Sequence, residues 1–243
     1  MTFSIAARCP SSGQFGVATS SKALAAGGLV PYCRSGVGAV ASQSFVNPYI
    51  GIDALALLQS GGSAAEVLEK LIAADAGRDL RQAAIVDLEG RVAAHTGKQC
   101  IYWAGHVTGD GYACLGNILA GEVVVQAMAG AFKSSTGQDL AERLVLALEA
   151  GQDAGGDRRG RQSAGITIVG EEEYPLCDLR VDDHEDPVPE LRRVFEVYKN
   201  EEVPFLRMMP RRADFIPYWD EVAKMRAEVE STLEAEENAA KEA

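Results

Sequence analysis

The sequence is poor in the residues that most often announce a chemistry. Its three histidines, His95, His106 and His184, show no helical metal-binding spacing, so no pair of imidazoles is set on one helix face. Five cysteines (Cys9, Cys33, Cys100, Cys114 and Cys177) are odd in number and irregularly spaced, with no Cys-x-x-Cys pair. That excludes the usual zinc and dithiol redox motifs, and buried free thiols are expected. No run approaches the ~18 consecutive apolar residues of a membrane span, and no basic segment leads into an apolar run at the start. A cytoplasmic protein with no membrane partner is the expectation. Basic residues are outnumbered, with 23 Lys and Arg against 35 Asp and Glu. The net charge of -12 argues against a nucleic-acid partner, although much of it lies after Arg226, where the chain is mostly Ala and Glu. No cofactor is expected.

What is present is an ordinary globular composition, 47% hydrophobic and 24% charged over 243 residues, enough for one large domain with a sizeable core. Phe3, Ile5 and Ala7 alternate with Thr2, Ser4 and Ala6, so Met1 to Arg8 reads as a half-buried strand. Turn residues from Pro10 to Gly13 return the chain as a second strand, Phe15 to Ser21. A Gly- and Pro-containing loop from Ala25 to Gly36 precedes a small-residue strand, Val37 to Phe45, which ends at Asn47-Pro48. Two helices follow. Ile52, Leu55 and Leu58 mark the first, and a Ser63–Glu66 capping box with Val67, Leu68, Leu71 and Ile72 marks the second. Gln82 to Leu88 and Arg91 to Thr96 read as strands joined at Glu89-Gly90. A Gly-punctuated stretch, Trp103 to Gly111, leads to a short strand over Tyr112 to Leu115.

Val124, Met128 and Phe132, then Leu140, Leu144, Ala147 and Leu148, mark two further helices, the second with Gly151 as its C-cap. The loop Gly155 to Ser163 feeds strands over Ala164 to Val169 and Leu176 to Val181. Asp186-Pro187 then starts a helix with Leu191, Val194, Phe195 and Tyr198 on one face. Helices arriving in pairs between hairpin-linked strands predict an α+β fold, two sheets sandwiched between two helical layers (αββα), and not a doubly wound sheet. This domain is expected over residues 1–200. Residues 201–243 read as an extension, irregular through Tyr218 and helical from Trp219.

Removal of Met1, favoured by the small Thr2, leaves a threonine whose hydroxyl and free amine share one residue at a strand end. An α-amine titrates near ~8, so part of it is unprotonated near neutrality and can accept the hydroxyl proton, directly or through a water. Such a residue is a nucleophile carrying its own base. While Met1 remains, the Thr2 nitrogen is a peptide amide and cannot serve.

The element order resembles that of the N-terminal nucleophile (Ntn) hydrolases, the proteasome-like four-layer αββα fold. Six motifs together look like the bacterial domain-of-unknown-function family numbered 1028, placed within that fold. They are Thr-Phe-Ser-Ile-Ala-Ala-Arg from Thr2, Gly-Val-Ala-Thr-Ser-Ser-Lys ending at Lys22, and Gly-Val-Gly-Ala-Val-Ala-Ser-Gln-Ser-Phe ending at Phe45. The others are Trp-Ala-Gly-His ending at His106, Gly-Gly-Asp-Arg-Arg-Gly-Arg-Gln-Ser ending at Ser163, and Val-Asp-Asp-His ending at His184. The resemblance runs from Thr2 to about Tyr198 and implies an amide-bond hydrolase with Thr2 as nucleophile.

By that resemblance, Lys22 is the cation that can lower the pKa of the Thr2 amine, although proteasome-like sites take their lysine from a slightly later strand. Asp157 and Ser163 are expected to orient the threonine. Asn117 is the first candidate donor to an oxyanion. Ser44 and Asn47 come second and are grouped with the substrate-binding residues. Arg158, Arg159 and Arg161 offer guanidinium forks to a carboxylate or phosphate, and salt bridges within an acidic protein explain them as well. The expected partner is a small-molecule or peptide amide substrate, and a homo-oligomer is expected.

Two rivals stand beside this. One is a catalytically silent module that keeps the fold and its inter-sheet cleft for binding. The other is a metal-dependent hydrolase built on Asp182, Asp183 and His184, where hard oxygens and one nitrogen lie together. A charged turn in which Asp186 caps the next helix accounts for the same residues.

Overall fold

A computed structural model describes residues 2–215 and 219–242. Met1, on which the removal expectation rests, and residues 216–218, at the end of the expected irregular stretch, lie outside the described residues. The chain runs β1 (Thr2–Arg8), β2 (Phe15–Ser21), β3 (Pro31–Arg34) and β4 (Gly38–Ser44), then α1 (Pro48–Gln59) and α2 (Ala64–Ala74). Strands β5 (Arg81–Asp87), β6 (Val92–Thr96), β7 (Trp103–Gly109) and β8 (Tyr112–Leu119) follow, then α3 (Glu122–Ser134) and α4 (Leu140–Asp153). The domain closes with β9 (Ser163–Val169), β10 (Pro175–Val181) and α5 (Pro187–Val197).

Six strands form one antiparallel sheet in the order β10-β9-β2-β1-β8-β7, and four form a second in the order β3-β4-β5-β6. Helices α1 and α2 lie on the outer face of the smaller sheet, α3 and α4 on that of the larger. The result is a four-layer αββα sandwich, the arrangement that the Ntn resemblance implies. Small residues fill much of the gap between the sheets: Ala6, Ala39, Ala41, Ala84 and Ala113 pack there with Phe15, Val17 and Leu115. Alanines at facing positions let two sheets approach closely.

This layering corrects the half-buried reading of β1. Helices cover one face and the second sheet covers the other, so Thr2 through Ala7 are all buried. Phe3 packs on the helix side near Met128 and Gly151, while Ala6 belongs to the inter-sheet core.

Four local expectations also change. The loop expected over Ala25 to Gly36 contains a 3-10 turn (Ala26–Gly28) and the edge strand β3. The Gly-punctuated stretch after Trp103 is itself a strand, β7, and β8 runs on to Leu119. Strand β4 stops at Ser44, which takes a left-handed φ of 71°. Gly151 lies inside α4 and does not cap it: a methyl group there would press on Met128 and Phe3. The chain leaves the helix through Gly155 and Gly156, whose φ angles of 110° and 48° suit glycine.

Contacts divide the chain into two units, Met1–Phe195 and Glu196–Ala243. In the second, a short π turn (Tyr198–Glu202) passes into α6 (Val203–Leu206), and α7 (Trp219–Glu242) is the long helix expected from Trp219. Its described side chains are largely exposed, and Arg226 and Glu230, one helical turn apart, form an ion pair on it at 2.8 Å. No helix among the described residues is long and apolar enough to cross a membrane.

Candidate functional site

The inter-sheet layer is apolar at the Phe15 end and polar at the Thr2 end. Sheet register sets Ser163, Ser21, Thr2 and Asn117 side by side on β9, β2, β1 and β8. Directly paired residues in antiparallel strands share a face. That face looks into the gap, because Ser4, two residues on from Thr2, hydrogen-bonds to the second sheet. All four are buried, and the Thr2 hydroxyl donates to Ser21 Oγ at 3.2 Å.

Facing them across the gap are two fully buried glutamines, Gln43 on β4 and Gln82 on β5, paired in register. Gln43 Nε2 donates to the Thr2 carbonyl (3.2 Å) and to Gln82 Oε1 (2.8 Å). Gln43 Oε1 accepts from Ser4 Oγ at 2.6 Å. Ser4 Oγ also lies 2.8 Å from Thr19 Oγ1; its single proton goes to the amide oxygen, so the Thr19 hydroxyl supplies the other bond. Gln82 Oε1 accepts a second time, from Asn117 Nδ2 at 2.9 Å. Its Nε2 is shared among Gly116 O (2.8 Å), Thr96 Oγ1 (3.0 Å) and Gly105 O (3.1 Å). Thr96 Oγ1 in turn lies 2.9 Å from His106 Nδ1. Desolvation, with a smaller contribution from His95, lowers the His106 pKa. The neutral ring is thereby favoured, and its Nδ1 can accept the Thr96 proton.

Thr2 and Asn117 are brought together. Asn117 uses one N–H on Gln82, and its other N–H and its Oδ1 have no partner among the described residues. Asp157 and Ser163 act one step further out. Asp157 accepts from the Lys22 backbone N–H (3.0 Å) and is paired with Arg159 at 2.9 Å. Ser163 Oγ donates to Ala23 O (2.6 Å) and accepts from Ala26 N–H (3.1 Å). Both therefore clamp the turn that leaves β2. The Lys22 residue is exposed, and the later-strand side chain directed at Thr2 is the neutral Gln43.

The expected substrate-binding residues are dispersed. Ser44 lies 3.4 Å from the Cys100 thiol, which donates to its Oγ. Asn47 is the N-cap of α1, accepting from Tyr49 N–H at 3.1 Å, while its Nδ2 donates to Asp75 Oδ2 at 2.9 Å. Hydrogen bonding to Arg81 is the largest influence holding the Asp75 carboxyl down to about 2, with further help from Asn47 and the Gly77 N–H. Arg158 lies over the Tyr102 ring at 5.3 Å, Arg159 is held by Asp157, and Arg161 pairs with Asp186 at 2.5 Å.

The acidic turn does not gather into a metal site. Asp182 pairs with Arg180, Asp183 accepts from Gln162, and His184 Nδ1 accepts from the Asp186 N–H. No group of three His, Cys, Asp or Glu among the described residues is placed to hold a metal. The Asp186 side chain is engaged by Arg161 and Gln152.

Gln43 and Gln82 are the site residues that sequence reasoning missed. The one available signal was a polar residue on the inward phase of a strand, in Ala39-x-Ala41-x-Gln43 and in Gln82-x-Ala84-x-Val86.

Fold and site together define a class: an αββα sandwich whose central strand begins with a threonine at the polar end of the inter-sheet layer. Within that class, the family of unknown function DUF1028 matches residues 2–191. The chain belongs to that family. The crystal structure of protein SPO2555 from Silicibacter pomeroyi, a DUF1028 protein, is similar at a TM-score of 0.81 and 30% identity, over 88% of this chain and 97% of that one. Anbu (ancestral beta-subunit) from Yersinia bercovieri gives a TM-score of 0.39 at 14% identity, over 86% of this chain and 98% of that one. No curated protein matches.

Proposed function

We propose that the protein is an amide-bond hydrolase in which Thr2, freed of Met1, is an N-terminal nucleophile. The pairing of Thr2 with Asn117 carries this reading: a buried strand-end hydroxyl stands beside a carboxamide with an unused N–H. Thr2 Oγ1 attacks the substrate carbonyl while its own α-amine takes the proton. Asn117 Nδ2 donates to the oxyanion as charge develops. The tetrahedral intermediate collapses, the leaving amine takes the proton back from the Thr2 ammonium, and an ester to Thr2 remains. A water then attacks that ester, the amine again acting as base, and the acid product leaves.

Ser21 orients the hydroxyl at 3.2 Å. Asp157 and Ser163 serve as positioning residues by fixing the turn that follows Ser21. With Gln43 neutral and Lys22 exposed, the base is the amine itself. Those same two features favour the second reading, a silent binding module. The substrate on the first reading is a small-molecule or peptide amide, acted on in the cytoplasm, and the working assembly is a homo-oligomer.

The test is turnover of an amide substrate library by Thr2→Ala. Loss of at least ~10³-fold in rate with an unchanged circular dichroism spectrum is expected for loss of a nucleophile. Retained turnover removes Thr2 from that role.

A further inference from the structure

A cavity of about 260 Å³ opens at the same end of the larger sheet but on its other face, between the sheet and the loop that follows α4. Phe3 and Ser20 line it from β1 and β2, Gln152 from α4, and Gly155, Asp157, Arg158 and Arg161 from the loop. Phe3 and Ser20 alternate with Thr2 and Ser21, so this cavity is separated from the Thr2 hydroxyl by the thickness of the sheet.

Two of its groups lack the partners that their chemistry calls for. Gln152 is more than nine-tenths buried, and its Nε2 donates to Asp186 Oδ1 at 3.1 Å. Its Oε1 is buried with no hydrogen-bond partner among the described residues, a costly arrangement for an amide oxygen. Among the described residues no donor reaches Gln152 Oε1, and the cavity that Gln152 lines is the open space beside it. The second group is Arg158. Its neighbours in the run are neutralised, Arg159 by Asp157 and Arg161 by Asp186. Arg158 has no carboxylate partner among the described residues, only the Tyr102 ring. In a chain of net charge -12, an arginine at a cavity mouth without an acidic partner is an anion anchor.

We infer that this cavity binds a small carboxylate that also carries an N–H donor: the carboxylate on Arg158, the N–H toward Gln152, and an aliphatic body against Phe3. One guanidinium without a carboxylate partner matches the single charge of a carboxylate better than the double charge of phosphate. A free α-amino acid and the C-terminal residue of a peptide share this chemistry. Because the cavity lies on the opposite face from Thr2, occupancy here and catalysis there succeed or fail separately.

The experiment is isothermal titration of the full-length protein with L-alanine and L-alanyl-L-alanine. Alaninamide, lacking the carboxylate, and propionate, lacking the N–H, are the controls. At least one of the first two is expected to bind about tenfold or more tighter than both controls, and Arg158→Gln, an exposed substitution that leaves the core intact, to weaken it about tenfold. Tighter binding of alanine assigns the free amino acid, and of the dipeptide a peptide C-terminus; either supports the site. Three outcomes overturn it: no binding by any probe, which leaves water as the partner of Gln152; controls that bind equally well; or Arg158→Gln binding as the wild type does.

Discussion

The Gln43 side chain donates to Gln82 Oε1 at 2.8 Å, joining β4 to β5 in a layer where both residues are fully buried. Through this one bond the Thr2 carbonyl, held by Gln43, and the Asn117 carboxamide, held by Gln82, belong to a single amide network. A neutral network of this kind gives order to a polar region without the desolvation cost of buried charge.

Replacing Gln82 by leucine leaves Gln43 Nε2 with the Thr2 carbonyl alone and removes the partner of Asn117 Nδ2 at the same time. Urea unfolding of Gln82→Leu should show a loss of about 2–4 kcal/mol, the range for breaking a buried hydrogen-bond network. Gln43→Leu should cost a similar amount. The double variant should lose less than the sum of the two, since each single change already breaks their shared bond.

Asn117→Ala separates catalysis from stability. Gln82 Oε1 keeps its bond from Gln43, so the variant should fold with a melting temperature close to that of the wild type. Its kcat on an amide substrate should fall ~10²–10³-fold, as expected for removal of one oxyanion donor. A variant with full kcat would remove Asn117 from that role.

Asp75 gives the fold an acid sensitivity. Its carboxyl is held down to about 2 from an ordinary value of 3.8, first by Arg81. The native state therefore binds fewer protons than the unfolded state between those values. The stabilisation, ~1 kcal/mol once solvent screening of this pair is allowed for, is complete above the unfolded value and is lost as pH falls toward 2. Denaturation of wild type and Asp75→Asn across pH 2–7 should show a gap that is constant above about pH 5 and closes at the acid end.

Gly51 tests the packing of the edge strand. It is buried in α1, and a methyl group there would overlap the Tyr32 ring on β3. Gly51→Ala should destabilise the protein by about 1–3 kcal/mol through overpacking. Adding Tyr32→Ala should relieve the clash, so the double variant should be less affected than the sum of the two single changes.

The elements legible in the sequence were those with a strong period. The β1–β2 hairpin, the β5–β6 hairpin and the apolar stripes of α2, α3 and α4 follow directly from residue spacing. Two of the four edge strands, β3 and β7, were not legible. Strand β3 opens with Pro31 and is only partly buried, and β7 carries Gly105 and Gly109 with little apolar alternation. Gly151 misled because a helix buried against Phe3 and Met128 needs a small residue at close approach, the same residue that elsewhere ends a helix. Thr2 was legible as a candidate because a threonine directly after the initiating Met opens a strand, and Asn117 because the family resemblance implies an asparagine between a strand and the next helix. Gln43 and Gln82 were not, since a buried glutamine has no local signature until the opposite sheet supplies its partners. Asn47 looked available for a substrate, but tertiary contacts commit it to α1 and Asp75.

Everything proposed for Thr2 depends on a free amine. The most direct measurement is intact mass with N-terminal peptide mapping of the protein purified from its own cells. The account predicts a chain that starts at Thr2 with an unmodified α-amine. A chain that retains Met1, leaving the Thr2 nitrogen as an amide, would contradict it.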